Sequence, residues 1–131
     1  MEIIISKAQG RVPVTIIQLK GEFDYLSVDD FDAEAKKVVE SGARDILIDL
    51  SGVTFMSSVG MRAIHLLYDQ VHDVEPGEKK AVYKGVMAGT YKAPHLKLLS
   101  PTNRVLESLK LIGLDLYIDI FDNKQEALAA F

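Results

Sequence analysis

The 131-residue sequence contains no cysteine. That single absence removes disulfide frameworks, thiolate zinc sites, iron–sulfur clusters and cysteine nucleophiles together. Basic charge is also scarce: the net charge is −4, which on electrostatic grounds argues against a dedicated nucleic-acid-binding domain. Long apolar runs are missing as well. The N-terminal stretch MEIIISKAQGRVP is too short in apolar residues for a signal peptide, and nothing approaches the ~20 residues of a membrane span, so a cytoplasmic location without a membrane span is expected. What remains is 48% hydrophobic and 26% charged, a soluble globular composition with the length of one domain, residues 1–131.

Charge is unevenly spread. Between Pro76 and His95, Lys79, Lys80, Lys84 and Lys92 stand against Glu78 alone. With Gly77, Gly85, Gly89 and Pro94 in the same stretch, residues of about 76–95 read as a basic loop inserted in an acidic body.

Hydrophobic periodicity orders the rest. Residues 2–6 and 12–20 read as strands, the second with Pro13 at its start. Ser27 and Asp30 resemble an acidic capping box ahead of the apolar stripe Phe31, Ala35, Val38 and Val39, with Gly42 as the stop. Asp45–Leu50 is an apolar run of the kind buried on both faces of a sheet. A turn at Ser51–Gly52 leads to a helix over about 58–73, whose apolar residues are Met61, Ile64, Leu67, Tyr68 and Val71. Residues 96–99 form a short strand. Ser100–Pro101 resembles an N-cap and first helical residue, opening a helix through Val105, Leu106, Leu109 and Ile112 that ends at Gly113. Leu116–Phe121 alternates as a last strand, and Asp122 with Gln125 caps a final helix. The expected fold is α/β, a mixed sheet in the order β-β-α-β-α-β-α-β-α with helices packed on it.

The serines at the start of the second helix carry the most chemical interest. A serine there ordinarily caps an orphan N–H. The same free N–H groups and the positive end of the helix dipole also favour an anion, including a phosphate borne on the serine itself. Other chemistry is less well supported. FMSSVG lacks the first glycine of the nucleophile elbow, and the only histidines are His65, His72 and His95. His65, Asp69 and His72 share a helix face and could begin a metal site, but no further ligand cluster is visible, so no metal or cofactor is expected. GVMAG at 85–89 does not follow a strand as a dinucleotide loop requires, and four lysines with Tyr83 and Tyr91 are weak grounds for nucleic-acid binding.

The run Asp49–Leu50–Ser51–Gly52–Val53–Thr54–Phe55–Met56–Ser57–Ser58–Val59–Gly60–Met61 resembles the signature of the STAS domain of bacterial anti-sigma factor antagonists. In that family it reads Asp-Leu-Ser, a gap, Val, a gap, Phe, an apolar residue, Asp-Ser, a small residue, Gly and an apolar residue. Gly21–Glu22–Phe23–Asp24 matches the family's Gly-Glu-apolar-Asp, and the element order agrees. The resemblance implies a regulator rather than an enzyme: a partner-switching protein that binds a kinase-type anti-sigma factor, is phosphorylated by it on serine, and is reset by a cognate phosphatase. By position the phosphoacceptor is Ser58, with Ser57 a second possible acceptor, and Asp24, Ser57, Ser58, Val59, Gly60 and Arg62 form the partner-binding set. Two positions depart from the pattern. Ser57 stands where the family has aspartate, and Val59 where it has a small residue. They leave open the alternative of a non-phosphorylated STAS scaffold, an assembly subunit of a sensory or lipid-transport complex.

Overall fold

The computed structural model describes all residues from Met1 to Phe131. Its elements are β1 (Glu2–Gln9), β2 (Pro13–Phe23), α1 (Val28–Glu40), β3 (Ile46–Met56), α2 (Ser58–Val71), α3 (Lys79–Ala88), β4 (Leu96–Leu99), α4 (Asn103–Ile112), a 3₁₀ turn (Leu114–Leu116), β5 (Ile120–Phe121) and α5 (Lys124–Ala129). The strands lie in the order β1-β2-β3-β4-β5. The β1–β2 hairpin is antiparallel and every later pairing is parallel, the mixed α/β sheet that a hairpin followed by β-α units produces.

Alternation along the strands divides two unequal cores. One face of the sheet sends Ile17, Leu19, Ile46, Ile48, Leu50, Leu96 and Leu98 into the larger core, where they meet Phe31 and Val38 of α1, Ile64 and Leu67 of α2, and Leu109 of α4. The other face, with Val14, Ile16, Leu47 and Leu99, is closed by Ala127 and Leu128 of α5. β4 pairs only with Ile46–Asp49 of β3, whereas β2 and β3 stay paired through Phe23 and Met56. A two-stranded ribbon therefore projects beyond the sheet, bringing the ends of β2 and β3 side by side.

Several local expectations are corrected. The segment about 76–95 is not a loop throughout: it contains α3. Two of its three glycines, which read as loop signals, have other roles. Gly89 ends the helix in the left-handed region (φ 74°). Gly85 lets the returning chain pass, since a Cβ there would lie 2.9 Å from Tyr91 Cβ, and its carbonyl accepts from the Thr90 and Tyr91 amides. Ser51–Gly52 is not a turn; β3 continues through it with a shift of register against β2 between Asp49 and Gly52, and Gly52 has no room for a side chain against Leu19 and Lys20 of β2. Leu116–Phe121 is not one strand but a 3₁₀ turn and a two-residue strand. Caps also shift. The α4 cap is Thr102, which accepts from the Val105 amide, while Ser100 takes a positive φ of 52°. The α5 cap is Asn123, accepting from Glu126. Ser27 bonds no helix amide as a cap: its hydroxyl donates to the Glu22 carbonyl and accepts from the Asp24 amide.

Candidate functional site at the ribbon tip

The site begins with a close contact. At Gly60, in the first turn of α2, a Cβ would lie 2.7 Å from the Phe23 carbonyl oxygen and 3.0 Å from its Cγ. Only glycine lets the helix start so near the end of β2. The Ser57 amide donates to that Phe23 carbonyl at 3.0 Å, so the residue after β2 (Asp24) and the residue after β3 (Ser57) are locked together at the tip. Phe23 itself is fully buried against Phe31, ring centroids 4.8 Å apart.

This geometry separates the two serines. Ser57 is the N-cap, extended (φ −84°, ψ 170°) and half-buried, its hydroxyl accepting from the Gly60 amide at 3.4 Å. Ser58 is the first helical residue and is exposed. The first turn of α2 holds no acidic residue, so nothing in it repels an anion at the positive end of the helix. Arg62 lies one turn further along α2 and is also exposed.

Around Ser58 the surface is more apolar than sequence suggested. Val59 is partly exposed, and a hollow of about 440 Å³ beside Ser58 is lined by Val59, Arg62, His65, Ile112 and Tyr117. Ile112, placed in the core stripe of its helix by spacing, is 53% exposed, and Leu111 beside it is 90% exposed. In the loop after β2, Tyr25 and Leu26 are 78% and 84% exposed. The Asp24 carboxylate fixes that loop by accepting from the Leu26 amide at 3.0 Å. Phe55 is half-exposed beneath the Arg104 guanidinium. The structure thus brings Asp24, Ser57, Ser58, Val59, Gly60 and Arg62 to one end of the molecule, and adds Tyr25, Leu26 and Ile112. Helical spacing alone cannot distinguish an apolar residue that faces a core from one that faces a partner.

The His65–Asp69–His72 face does not assemble as a ligand set. His65 Nε2 lies 3.5 Å from Asp69 Oδ2 and its Nδ1 shares a 2.6 Å bond with the Tyr117 hydroxyl. His72 is buried: its Nδ1 donates to the Tyr68 carbonyl and its Nε2 accepts from the His95 amide. Those two bonds define a neutral tautomer, and burial pushes the His72 pKa below its usual value, helped by nearby His95 and Lys97 and opposed by the Tyr68 carbonyl. Burial, with Asp69 nearby, raises the Tyr117 phenol to about 12.

No helix is long and apolar enough to cross a membrane. No curated protein matches the sequence. Among solved structures, the fold is similar to an anti-sigma factor antagonist from Mycobacterium paratuberculosis (TM-score 0.75, 19% identity, covering 98% of this chain and 92% of that one). It is also similar to the phosphorylated form of the Bacillus cell-fate determinant SpoIIAA (0.62, 19%, 97% and 96%) and to the SulP transporter STAS domain from Vibrio cholerae (0.51, 17%, 89% and 77%). At such identities the likeness is one of fold. The family model of the STAS domain matches residues 5–75, from β1 through the Ser57–Ser58 motif and all of α2, and the chain belongs to the STAS domain family.

Proposed function

We propose that this chain is a protein-binding regulator of the anti-sigma factor antagonist type, which docks on a kinase-type anti-sigma factor through the ribbon tip and is switched by phosphate on Ser58. The observation that carries the reading is the contrast between the two serines: Ser57 is spent on capping α2, and Ser58 presents its hydroxyl to solvent at the positive end of the same helix. A phosphate there brings about −1.5 to −2 charges into a surface that also carries Val59, Arg62, Ile112 and the Tyr25–Leu26 loop. In a packed interface that dianion is desolvated and repelled by acidic neighbours, which is sufficient to expel a partner. The protein receives a phosphoryl group and performs no chemistry; a cognate phosphatase resets it, and the setting is cytoplasmic transcription control.

Incubation with the cognate serine kinase and ATP, followed by intact-mass analysis and fragmentation, tests this. The expected result is one phosphate on Ser58, lost in Ser58→Ala, with Ser58→Asp binding the kinase more weakly than Ser58→Ala does. Phosphate only on Ser57, or on neither serine, refutes it. The replacement of the family's aspartate by Ser57 favours a second reading, a STAS scaffold in a sensory or lipid-transport assembly with no phosphoswitch. In that case Ser58→Asp leaves association with the assembly unchanged.

A further inference from the structure

Beyond the Ser58 surface, a second feature of the molecule has no role in that reading. α3 stands apart from the other helices in that none of its side chains is fully buried, although Val82 and Val86 are half-buried and line a cleft of about 650 Å³ with α2. That volume is typical of a small-molecule site. Across from α3, the cleft is walled by Tyr68 of α2 and by Tyr117, whose rings meet edge to face at 5.1 Å. Both phenol oxygens are already engaged, Tyr68 with the Tyr91 hydroxyl at 2.7 Å and Tyr117 with His65. Tyr68, buried and stacked on His72 at 4.4 Å, forms the floor of the cleft, and what the half-buried Tyr117 offers an occupant is ring surface, not a hydrogen bond. Tyr83 supplies a third ring from the α3 side and is 65% exposed.

The charges in the cleft point the same way. Asp69 and Asp73 line it from the end of α2, and Lys79 at the start of α3 is the one fixed cation among the lining residues. Asp69 is paired only with His65 at 3.5 Å, and Asp73 forms no ion pair. Aromatic faces attract a cation through their quadrupole and carboxylates attract it directly; together they disfavour an anion. We propose that the cleft between α2 and α3 is a binding site for a small organic ammonium ion, alkylated at nitrogen, held between the rings of Tyr83 and Tyr117 and neutralised by Asp69 and Asp73. An occupant would bury the apolar side of α3, which the protein alone leaves half-covered. α3 would then pack on the ligand, since the chain is anchored after its C-terminal end by Tyr91 and Lys92 while no side chain of the helix is fully buried.

The test uses the full chain and choline as probe, followed by amide chemical shifts in a two-dimensional NMR titration. The neutral isostere 3,3-dimethylbutan-1-ol is the matched control. The expected result is saturable shifts confined to α2, α3 and the Tyr117 region for choline, with affinity at least about fivefold weaker for the isostere. Tyr83→Ala and Asp73→Asn, both at exposed positions, should each weaken choline binding by a similar factor while leaving the remaining spectrum unchanged. Absence of saturable shifts overturns the site. Equal affinity for choline and its isostere overturns the assignment of charge, and retention of full affinity in both variants overturns the placement. Co-sedimentation with phosphatidylcholine vesicles without response to free choline would replace the small-molecule site by a membrane contact and so overturn it too.

Discussion

The two ends of α2 border regions built on opposite terms. At its start, Gly60 touches the Phe23 backbone, Ser57 is bonded both to β2 and within its own helix, and Phe23 is wholly buried. Beyond its end, α3 buries no side chain fully, and the segment is held at points: the Tyr91–Tyr68 bond, the Lys92 ammonium on the Asp115 carbonyl, and the His95 amide on His72. A ten-residue helix with no fully buried side chain has little stability of its own. The fold therefore tolerates chemistry differently at its two ends. A modification at the first end changes charge on a rigid platform, whereas an occupant at the second end can change structure.

Hydrogen exchange gives the widest separation. Amides in the middle of α2, around Ile64 and Leu67, should exchange only through near-global unfolding, whereas those around Val82 should open locally. The expected gap in opening free energy is about 3 kcal/mol or more, within the 5–15 kcal/mol stability usual for a domain. Comparable protection in the two helices would abolish the contrast.

Substitution of glycine comes next. Gly60→Val drives a branched side chain into the Phe23 carbonyl and ring, where the obstacle includes backbone that cannot rotate aside. A loss of about 2–4 kcal/mol is expected from chemical denaturation. Gly77→Ala, by contrast, places its methyl where nothing lies within 4 Å, and should shift stability by less than about 0.5 kcal/mol. If the two substitutions cost the same, close packing is not what distinguishes the regions.

These same glycines show what sequence could and could not convey. The strand and helix pattern around the Ser57–Ser58 motif was legible because core residues such as Ile48, Leu50, Ile64 and Leu67 recur at the period of their element. α3 was hidden because Gly85 and Gly89 carry the same letters as loop glycines, though one makes room for Tyr91 and the other caps a helix. The passage of β3 through Ser51–Gly52 was hidden for the same reason: the glycine is demanded by a neighbouring strand, which no local pattern records. On α4, Ile112 continued the core stripe in sequence yet lies past the edge of the core, so the apolar rim of the candidate site became visible only when the elements were packed.

Cap removal sharpens the distinction between the serines themselves. Ser57→Ala deletes the acceptor for the Gly60 amide and should cost about 1 kcal/mol. Ser58→Ala removes an exposed hydroxyl and should stay within about 0.5 kcal/mol of the parent. That order matters for reading any phosphorylation experiment, because a defect in Ser57→Ala mixes stability with acceptor loss, whereas one in Ser58→Ala does not. Equal destabilisation by the two would mean that Ser58 also supports the helix.

The smallest expected effect comes from one histidine at the join between the two regions. His72 caps α2 and holds the chain returning from α3, in a neutral form that donates to Tyr68 and accepts from His95. Tyr68 and Asp69 face it from α2, and His95 and Lys97 from the returning strand. Because burial lowers its pKa in the folded state, the unfolded chain takes up the proton first as pH falls. The stabilisation is therefore complete above the unfolded value of about 6.5 and declines as pH drops from there through the folded pKa. His72→Gln keeps a polar side chain but cannot titrate, so denaturation at about pH 7.5 and about pH 5.5 should show a smaller acid loss in the variant than in the parent. Parallel losses would remove His72 as the group responsible. If the acid loss in the parent is accompanied by faster exchange in α3 while α2 keeps its protection, the protonated ring has released the His95 amide. One of the three bonds that hold the weak region would then be titratable.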